Sequence, residues 1–444
     1  MNKKTSPPNA RQIALNVVSS VWQEDAYANI ALNRELNKYD LSDIERHFAT
    51  ELAYGAIKAG LVLDLILKRF VTRPFNKIAK PILNIMRLGV YQIFFLDKVP
   101  DSAACNEAVK QARKYGHEGT VKFVNGVLRN SVRFKDSGKL ALDKELEKAI
   151  LLQHPEWLVQ RWEKQIGAKA TQELCLLNNQ AAKTILRTNT LKITRSELVD
   201  ILAQEGVTTT LADYPSEGLV CESIPPLLRL KSFQQGLYQV QDTSSMLVAH
   251  YMDVRQGQFV LDLCAAPGGK TTHIATLMQD QGEVVACDIH EHKLAAIRSN
   301  CQRLGIKSVT PILHDATKFN DAWLNKADRV LVDAPCSGLG VLRRRADLRW
   351  RKQESDLKSL PILQKAILDN AKRYVAKGGK LIYSTCTTEA AENIEVVQQF
   401  LQENDNFVIE KIKHPDKDEM LDFLQLWTHI DNTDGFFICV MCNI

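Results

Sequence analysis

Hydrophobic residues in the first 133 positions recur every three or four residues, the spacing of one face of a helix. Prolines punctuate this pattern, and Pro81 opens a further apolar segment, PILNIMRLGVYQIFFL. The pattern predicts an all-helical domain over residues 1–140. Its first two apolar series are Ile13, Val17 and Val21, and Leu61, Leu65 and Leu67.

Two further patterns follow the helical one. Residues 141–245 are mixed, with strand-like starts leading into amphipathic helices, and predict a linker with a small α/β domain. From residue 246 to 444, short β-rich segments alternate with helical ones, which predicts a doubly wound, Rossmann-like α/β domain with a parallel sheet. Helices are expected from Lys270, up to Leu304 and from Glu389, and the last segment, GFFICVM, is expected as an antiparallel strand at or near an edge. The other strand segments are FVLDL, EVVACD, SVTPIL, RVLVDAP and KLIYSTC.

The composition favours a cytoplasmic protein. The longest apolar stretch, Leu88 to Leu96, contains Gln92 and has half the length that spans a bilayer. The start, MNKKTSPPNARQ, has basic residues without an apolar segment after them, so we expect neither a secretory nor a membrane address. The ten cysteines are too few for a disulfide scaffold, and we expect them to be reduced in a monomeric protein.

The net charge of +5 is unevenly divided. Residues 1–134 contain 20 Lys and Arg against 12 Asp and Glu, a net of +8, and the rest of the chain has a net of −3. A basic helical module attached to a nearly neutral one indicates a polyanionic partner such as RNA. The alternative is an ordinary solvated helical surface.

A glycine loop follows the first strand of the third region, in VLDLCAAPGGKTTHIA. The phosphate-binding pattern G-x-x-x-x-G-K-[ST] fails because Cys264 stands where its first glycine belongs. The dinucleotide pattern G-x-G-x-x-G is absent. The loop still offers glycines and a helix N-terminus to a ligand.

Acidic residues follow successive predicted strands, and ligands of open α/β sheets bind beyond these carboxyl ends. Asp288 comes 20 residues after Gly268, a distance at which a carboxylate can bind ribose hydroxyls. Several carboxylates would repel a phosphate but suit a cationic, phosphate-free adenosine such as S-adenosylmethionine. A lone Asp of this kind is more often a helix cap. The series is Asp262, Asp288, Asp315 and Asp333.

Two cysteines, Cys336 in DAPCSG and Cys386 in YSTCT, each follow a predicted strand at the same cleft. A cysteine is required for methylation of a pyrimidine at carbon 5, because addition of a thiolate to carbon 6 makes carbon 5 nucleophilic. Asp333 could bind the exocyclic amine and ring nitrogen of a cytosine. Chemistry alone leaves open which cysteine attacks.

Together, DLCAAPGGKT, DAPCSG and STC resemble the RNA 5-methylcytosine methyltransferases, and in particular the bacterial ones that act on 16S ribosomal RNA. The N-terminal segments RLGVYQIFFLDKVPDSAACNEAVKQAR and FVNGVLRNSVR resemble a NusB-like RNA-binding domain. The resemblance implies that Cys386 is the nucleophile and that Cys336 assists proton removal and product release, with Asp333 as the third catalytic residue. It implies S-adenosylmethionine contacts from Cys264, Ala265, Ala266, Pro267, Gly268, Gly269, Lys270, Asp288, Asp315 and Asp333.

The implied substrate is a structured loop of 16S ribosomal RNA with an unpaired or flipped cytosine. A transfer RNA methyltransferase and a non-catalytic antitermination or ribosome-assembly factor remain alternatives. Arg345-Ala346 and Thr387 depart from the usual His-Pro and Ser of the family. We expect no metal, because Cys439-x-x-Cys442 has no second pair. We expect phosphate contacts from the nearby cluster Arg343, Arg344, Arg345, Arg349 and Arg351.

Overall fold

The computed structural model describes residues 9–444, so the first eight residues of the basic start lie outside the described part. The α-helices are α1 Ala10–Gln23, α2 Ala28–Leu36, α3 Asp43–Ala59, α4 Leu61–Leu67, α5 Lys80–Phe95, α6 Asp101–Ala112, α7 Glu118–Asp136, α8 Lys144–Leu152, α9 Glu156–Ile166, α10 Ala168–Asn179, α11 Arg195–Gln204, α12 Lys231–Gln234, α13 Thr243–Tyr251, α14 Gly269–Leu277, α15 Glu291–Leu304, α16 Leu348–Arg351, α17 Asp356–Ala371, α18 Ile394–Gln402 and α19 Thr428–Asp431.

The strands are β1 Thr184–Thr188, β2 Thr209–Leu211, β3 Gly218–Cys221, β4 Tyr238–Val240, β5 Phe259–Asp262, β6 Glu283–Asp288, β7 Val309–Leu313, β8 Ala327–Asp333, β9 Val375–Thr385, β10 Phe407–Glu410, β11 Ile412–Lys413, β12 Met420–Leu421, β13 Leu424–Leu426 and β14 Phe436–Asn443. The chain divides into two compact units, one of residues up to 181 together with 342–352, the other of 182–341 and 353–444.

The first unit is helical, as the sequence predicted. The predicted stripe of α1 is confirmed, because Ile13, Val17 and Val21 are all buried. The second predicted series is partly wrong, because Leu61 and Leu65 are 58% and 44% exposed. The buried face of α4 consists instead of Val62, Leu63, Ile66 and Leu67, a stripe shifted around the helix axis from the one we expected.

The segment 342–352 belongs to the first unit, and its fold corrects the prediction for one of its arginines, Arg349. Ala346 is fully buried among the helices, and Trp350 donates from its indole Nε1 to the carbonyl oxygen of Lys58 at 2.9 Å. Gly60, with φ of +46°, makes room for this indole, because a Cβ there would lie 2.2 Å from Trp350 Nε1.

Arg349 is fully buried and holds this segment in place. Its guanidinium donates to the carbonyl oxygens of Gln153 at 2.9 Å and Asn178 at 3.1 Å, and to Asn179 Oδ1 at 2.7 Å. Arg351 pairs with Asp347 Oδ2 at 2.6 Å. The expected phosphate contact is therefore wrong for Arg349, because its buried guanidinium binds the protein's own carbonyl groups.

The second unit begins with a small antiparallel sheet in the order β2-β3-β1-β4. Near it, Glu217 lies between two histidines, its Oε1 2.8 Å from the Nε2 atoms of both His250 and His273. Burial lowers the pKa of His273 to about 3. Burial would raise the pKa of Glu217, but the hydrogen bonds from His250 and His273 hold it well below its usual range.

The large sheet has the order β10-β14-β9-β8-β5-β6-β7. Strands β5 to β9 pair in parallel, and β14 runs antiparallel between β9 and β10, next to the edge, as expected. The predicted Rossmann-like fold is confirmed. Within residues 9–444, no helix has the length and apolar character needed to cross a membrane.

Candidate active site

The carboxyl ends of β5, β6, β8 and β9 meet at one edge of the parallel sheet. Asp262 pairs in register with Leu331, two residues before the end of β8, and Asp333 pairs with Ser384 of β9. The glycine loop and both cysteine motifs follow directly from these strand ends. The alternation read from the sequence therefore brings the expected site residues to the same edge.

The glycine loop connects β5 to α14 through Cys264, Ala265, Ala266, Pro267 and Gly268. The Ala266–Pro267 peptide is cis, and the Gly268 amide donates to the carbonyl oxygen of Ala265 at 2.7 Å. Gly268 has φ of +97°, a conformation that favours glycine. Among the described residues, a Cβ at Gly269 would have open space around it.

Arg187, fully buried, fastens the start of α14. It donates to the carbonyl oxygen of Gly269 at 2.7 Å and to Thr272 Oγ1 at 3.0 Å, and it also binds Gln241 Oε1. Burial lowers the pKa of its guanidinium to about 9. Arg187 lies in β1, and none of the sequence motifs indicated this contact.

Asp262 ends β5 and binds the helix that follows the glycine loop. Its carboxylate accepts from Thr271 Oγ1 at 2.6 Å, and the side chain is 1% exposed. Burial raises its pKa to about 7. Asp262 is therefore buried, and one of its oxygens binds the first turn of α14.

Asp288 and Asp315 lie at the ends of β6 and after β7. Asp288 Oδ1 accepts from the backbone amide of His290 at 2.9 Å, and Asp315 Oδ1 accepts from the amide and hydroxyl of Thr317 at 2.9 and 2.7 Å. The hydrogen bonds from Thr317 lower the pKa of Asp315. Both carboxylates lie at the edge of the sheet where we expected them. Each uses one oxygen to bind a residue two positions further along the chain.

Asp333 ends β8 and has a partner on each oxygen. Lys270 Nζ lies 2.7 Å from Oδ2, and Ser384 Oγ donates to Oδ1 at 2.8 Å. Burial would lower the pKa of Lys270, but the nearby Asp333, together with Cys386 and Asp262, raises it above its ordinary value. Lys270 is therefore a charged neighbour of both Asp333 and the second cysteine motif.

The two predicted catalytic thiols face each other. Cys336 Sγ and Cys386 Sγ are 3.4 Å apart, and both residues are partly exposed. The hydrogen bond with Cys386, then burial, then the negative charges of Glu392 and Asp333 raise the pKa of Cys336 well above its usual value. All ten cysteines are free, and Cys287 and Cys301 are buried in hydrophobic cores.

Several residues that hold the cysteine loops were not predicted from the sequence. We expected a helix from Glu389, but a 3₁₀ turn at Ala390–Glu392 comes first and α18 begins only at Ile394. The interruption lies at Asn393, with φ of −114° and ψ of −104°, because Glu392 and Asn393 bind the cysteine loops. The departure at Thr387 preserves a hydroxyl that lies 2.8 Å from Ser337 Oγ.

The second unit has a Rossmann-like methyltransferase fold. Its sheet is parallel except for β14, and a glycine loop follows its first strand in the chain, β5. Three family profiles match: the NusB family over residues 8–133, the ferredoxin-like domain of RsmF/B-like methyltransferases over 154–226, and the 16S rRNA methyltransferase RsmB/F family over 249–442.

Full-length relatives agree with these profiles. The chain is 39% identical to the probable ribosomal RNA small subunit methyltransferase B of Bacillus subtilis (strain 168) over 99% of both chains. It is 36% identical to the protein of that name from Synechocystis, over 97% of this chain and 98% of the other. The solved structure of PH0851 covers 99% of this chain and all of its own at 26% identity, with a TM-score of 0.86. The chain belongs to the RsmB/F family of RNA methyltransferases.

Proposed function

We propose that this protein methylates carbon 5 of a cytosine in 16S ribosomal RNA through a covalent bond between Cys386 and carbon 6. The observation that carries the proposal is the 3.4 Å separation of the Cys336 and Cys386 sulfurs at the carboxyl edge of the sheet. The full-length relatives are named as ribosomal RNA methyltransferases, which supports an RNA substrate. Their names do not identify the modified base, so we infer the base from the chemistry of the site.

The residues at this edge fit S-adenosylmethionine. Gly269 leaves open space at the start of α14. Asp288 ends β6, the strand after the glycine loop, where a carboxylate binds ribose hydroxyls in related folds. The acidic side chains suit a cation better than a phosphate. Cys264 to Lys270, Asp288, Asp315 and Asp333 would hold the cofactor. When bound, S-adenosylmethionine supplies the methyl group that becomes attached to carbon 5.

The first step of the proposed reaction is attack by Cys386. Its thiolate bonds to carbon 6, and the electron pair of the C5–C6 double bond makes carbon 5 nucleophilic. The Lys270 ammonium lies within electrostatic reach of this sulfur, and a nearby cation favours a thiolate. Asp333 accepts a hydrogen bond from the exocyclic amine of cytosine, which uracil lacks.

The second step releases the product and uses both sulfurs. Cys336 gives its proton to the departing Cys386 sulfur, and the Cys336 thiolate that this leaves takes the proton from carbon 5. The electron pair of the C5–H bond re-forms the C5–C6 double bond, and the bond from carbon 6 to Cys386 breaks. Cys336 is suited to this relay because its raised pKa keeps it a thiol beside Cys386.

The first unit offers a surface for the RNA backbone. Lys122, Arg129 and Arg133 are exposed along one face of α7, spaced at seven and four residues, within the part of the chain whose net charge is +8. Such side chains would bind phosphates without regard to sequence.

The proposal is tested by incubating the purified protein with S-adenosylmethionine and 16S ribosomal RNA, then digesting the RNA to nucleosides and measuring 5-methylcytidine by mass spectrometry. Bisulfite sequencing of the product locates the modified base. We expect 5-methylcytidine at one position of 16S RNA and none in transfer RNA. Methylation of transfer RNA alone, or of a base other than cytosine, would overturn the proposal.

A further inference from the structure

A single buried carboxylate connects the two cysteine loops. Glu392 is fully buried at the end of the 3₁₀ turn that precedes α18. Its Oε2 accepts from the backbone amide of Ser337, the residue after Cys336, at 2.8 Å. Its Oε1 accepts from Thr387 Oγ1, in the residue after Cys386, at 3.4 Å. The two oxygens of one side chain therefore bind the loops of both thiols.

Further hydrogen bonds close this connection. Ser337 Oγ and Thr387 Oγ1 are 2.8 Å apart, so the two loops also bind each other directly. Gln364 Nε2 donates to Glu392 Oε2 at 3.1 Å and to the carbonyl oxygen of Pro335 at 3.0 Å. The loop that carries Cys336 is thus bound on both sides of the cysteine. Gln364 binds the residue before it, and Glu392 binds the residue after it.

The backbone around Glu392 is anchored to the strand that leads into Cys386. Tyr383 donates from its hydroxyl to the carbonyl oxygen of Glu392 at 2.7 Å. The next residue, Asn393, donates from Nδ2 to the carbonyl oxygen of Thr387 at 3.0 Å and accepts from Thr385 Oγ1 at 2.5 Å. The backbone that carries the Glu392 carboxylate is therefore held by β9, the strand that leads into the Cys386 loop.

We propose that Glu392 is a positioning residue that sets the separation of the Cys336 and Cys386 sulfurs, and so the rate of the steps that use both. The proposal rests on the proposed function. Reacting groups must be held close to their productive geometry, and a displacement of about 1 Å can cost on the order of 100-fold in rate. A carboxylate suits this place because charged acceptors form stronger hydrogen bonds than neutral ones.

Its charge has a second effect on the same pair. Glu392 and Asp333 are the two carboxylates whose charges help to raise the pKa of Cys336, after the hydrogen bond with Cys386 and burial. Lys270, paired with Asp333, is the cation that interacts with Cys386. Glu392 thus helps to keep Cys336 protonated, the state in which it can donate to the departing Cys386 sulfur.

The test compares Glu392→Ala, Glu392→Gln and the control Glu395→Ala, an exposed glutamate three residues further along. We expect Glu392→Ala to lower kcat by on the order of 100-fold while KM for RNA and for S-adenosylmethionine stays within about threefold. Glu392→Gln should retain activity within about tenfold, since its amide oxygen can still accept from Ser337. The control should behave as the wild type.

Sulfur separation is measured without RNA by oxidation with diamide. The two thiols lose their hydrogens to the azo group of diamide and form a disulfide, which peptide mass spectrometry assigns to Cys336 and Cys386. We expect Glu392→Ala to form this disulfide at least about tenfold more slowly than the wild type, because the sulfurs meet less often. A wild type that forms the disulfide in a Glu392-dependent way but methylates no RNA would contradict the proposed function and leave the positioning role standing.

Two smaller substitutions, both at Thr387, test the same contact if Glu392→Ala fails to fold. Thr387→Val removes the hydroxyl that binds Glu392, Ser337 and the backbone amide of Glu389, and Thr387→Ser keeps it. We expect Thr387→Val to slow both methylation and disulfide formation, and Thr387→Ser to keep both close to the wild-type rates. If Glu392→Ala and Thr387→Val fold and match the wild type in kcat and in disulfide formation, the positioning role is overturned.

Discussion

The backbone amide of Gly340 donates a 3.0 Å hydrogen bond to the carbonyl oxygen of Cys386, and the carbonyl oxygen of Gly340 accepts one of 2.8 Å from the amide of Gly435. The Cys336 loop thus turns back onto the Cys386 loop through a glycine. A Cβ at Gly340 would lie 2.0 Å from the carbonyl oxygen of Gly435, closer than any real contact allows. Three backbone segments meet where the thiols are held.

Gly340→Ala is therefore expected to impair catalysis. The added methyl group must displace backbone, which moves the Cys386 loop, and we expect kcat to fall by at least about tenfold. Steady-state methylation kinetics measure this. Gly126→Ala, on a helix where the Cβ meets open space, is the matched control and should leave kcat unchanged. Wild-type kcat in Gly340→Ala would show that the loop contact is unimportant.

The buried Arg349 is expected to stabilise the first unit. Arg349→Ala leaves several carbonyl groups without their donor, and we expect a loss of roughly 3–5 kcal/mol in the free energy of unfolding. Chemical denaturation followed by circular dichroism measures it. Arg345→Ala, an exposed neighbour, should change stability by less than about 0.5 kcal/mol. Equal effects of the two substitutions would contradict the buried role.

The burial of Arg349 in the first unit could not be predicted from the sequence. The DAPCSG and STC motifs located both thiols, and strand alternation placed Asp288 and Asp333 at one edge, because these features are local. The five arginines that follow Cys336 in the sequence gave no sign that residues 342–352 fold into the other unit. Glu392 was overlooked for a similar reason. The helical periodicity after Cys386 gave no sign of the interruption at Asn393, where Glu392 and Asn393 bind the cysteine loops.

Acid should destabilise the second unit through His273. Its folded pKa of about 3 lies below the ordinary 6.5, so the unfolded state binds more protons and stability falls as pH drops below 6.5. Glu217, whose pKa is lowered by the histidines, contributes stability above about 4.5 that is also lost in acid. His273 accounts for at most about 1.4 kcal/mol for each pH unit in this window.

His273→Gln should flatten this dependence, because it removes the titrating ring and one partner of Glu217. Denaturation curves of the wild type and the variant between pH 7 and pH 5 test it, with the exposed His292→Gln as control. If His273→Gln loses stability in acid as steeply as the wild type, the buried neutral histidine is not the cause.

The exposed basic face of α7 is expected to bind RNA through phosphates. Replacing Lys122, Arg129 and Arg133 by Gln should weaken RNA binding and reduce the slope of log affinity against log salt by up to about 0.7–0.9 per residue. Fluorescence anisotropy at several salt concentrations measures both. Wild-type affinity that does not fall with rising salt, or a triple variant with an unchanged slope, would exclude this face from the RNA interface.

Trapping of the covalent adduct tests the roles of the two thiols most directly. Cys336→Ala and Cys386→Ala are each incubated with 16S ribosomal RNA and S-adenosylmethionine and run on a denaturing gel. We expect Cys336→Ala to accumulate a denaturant-resistant protein–RNA band, because attack proceeds and release fails, and Cys386→Ala to give neither band nor 5-methylcytidine. A stable band with Cys386→Ala and none with Cys336→Ala would contradict the assignment.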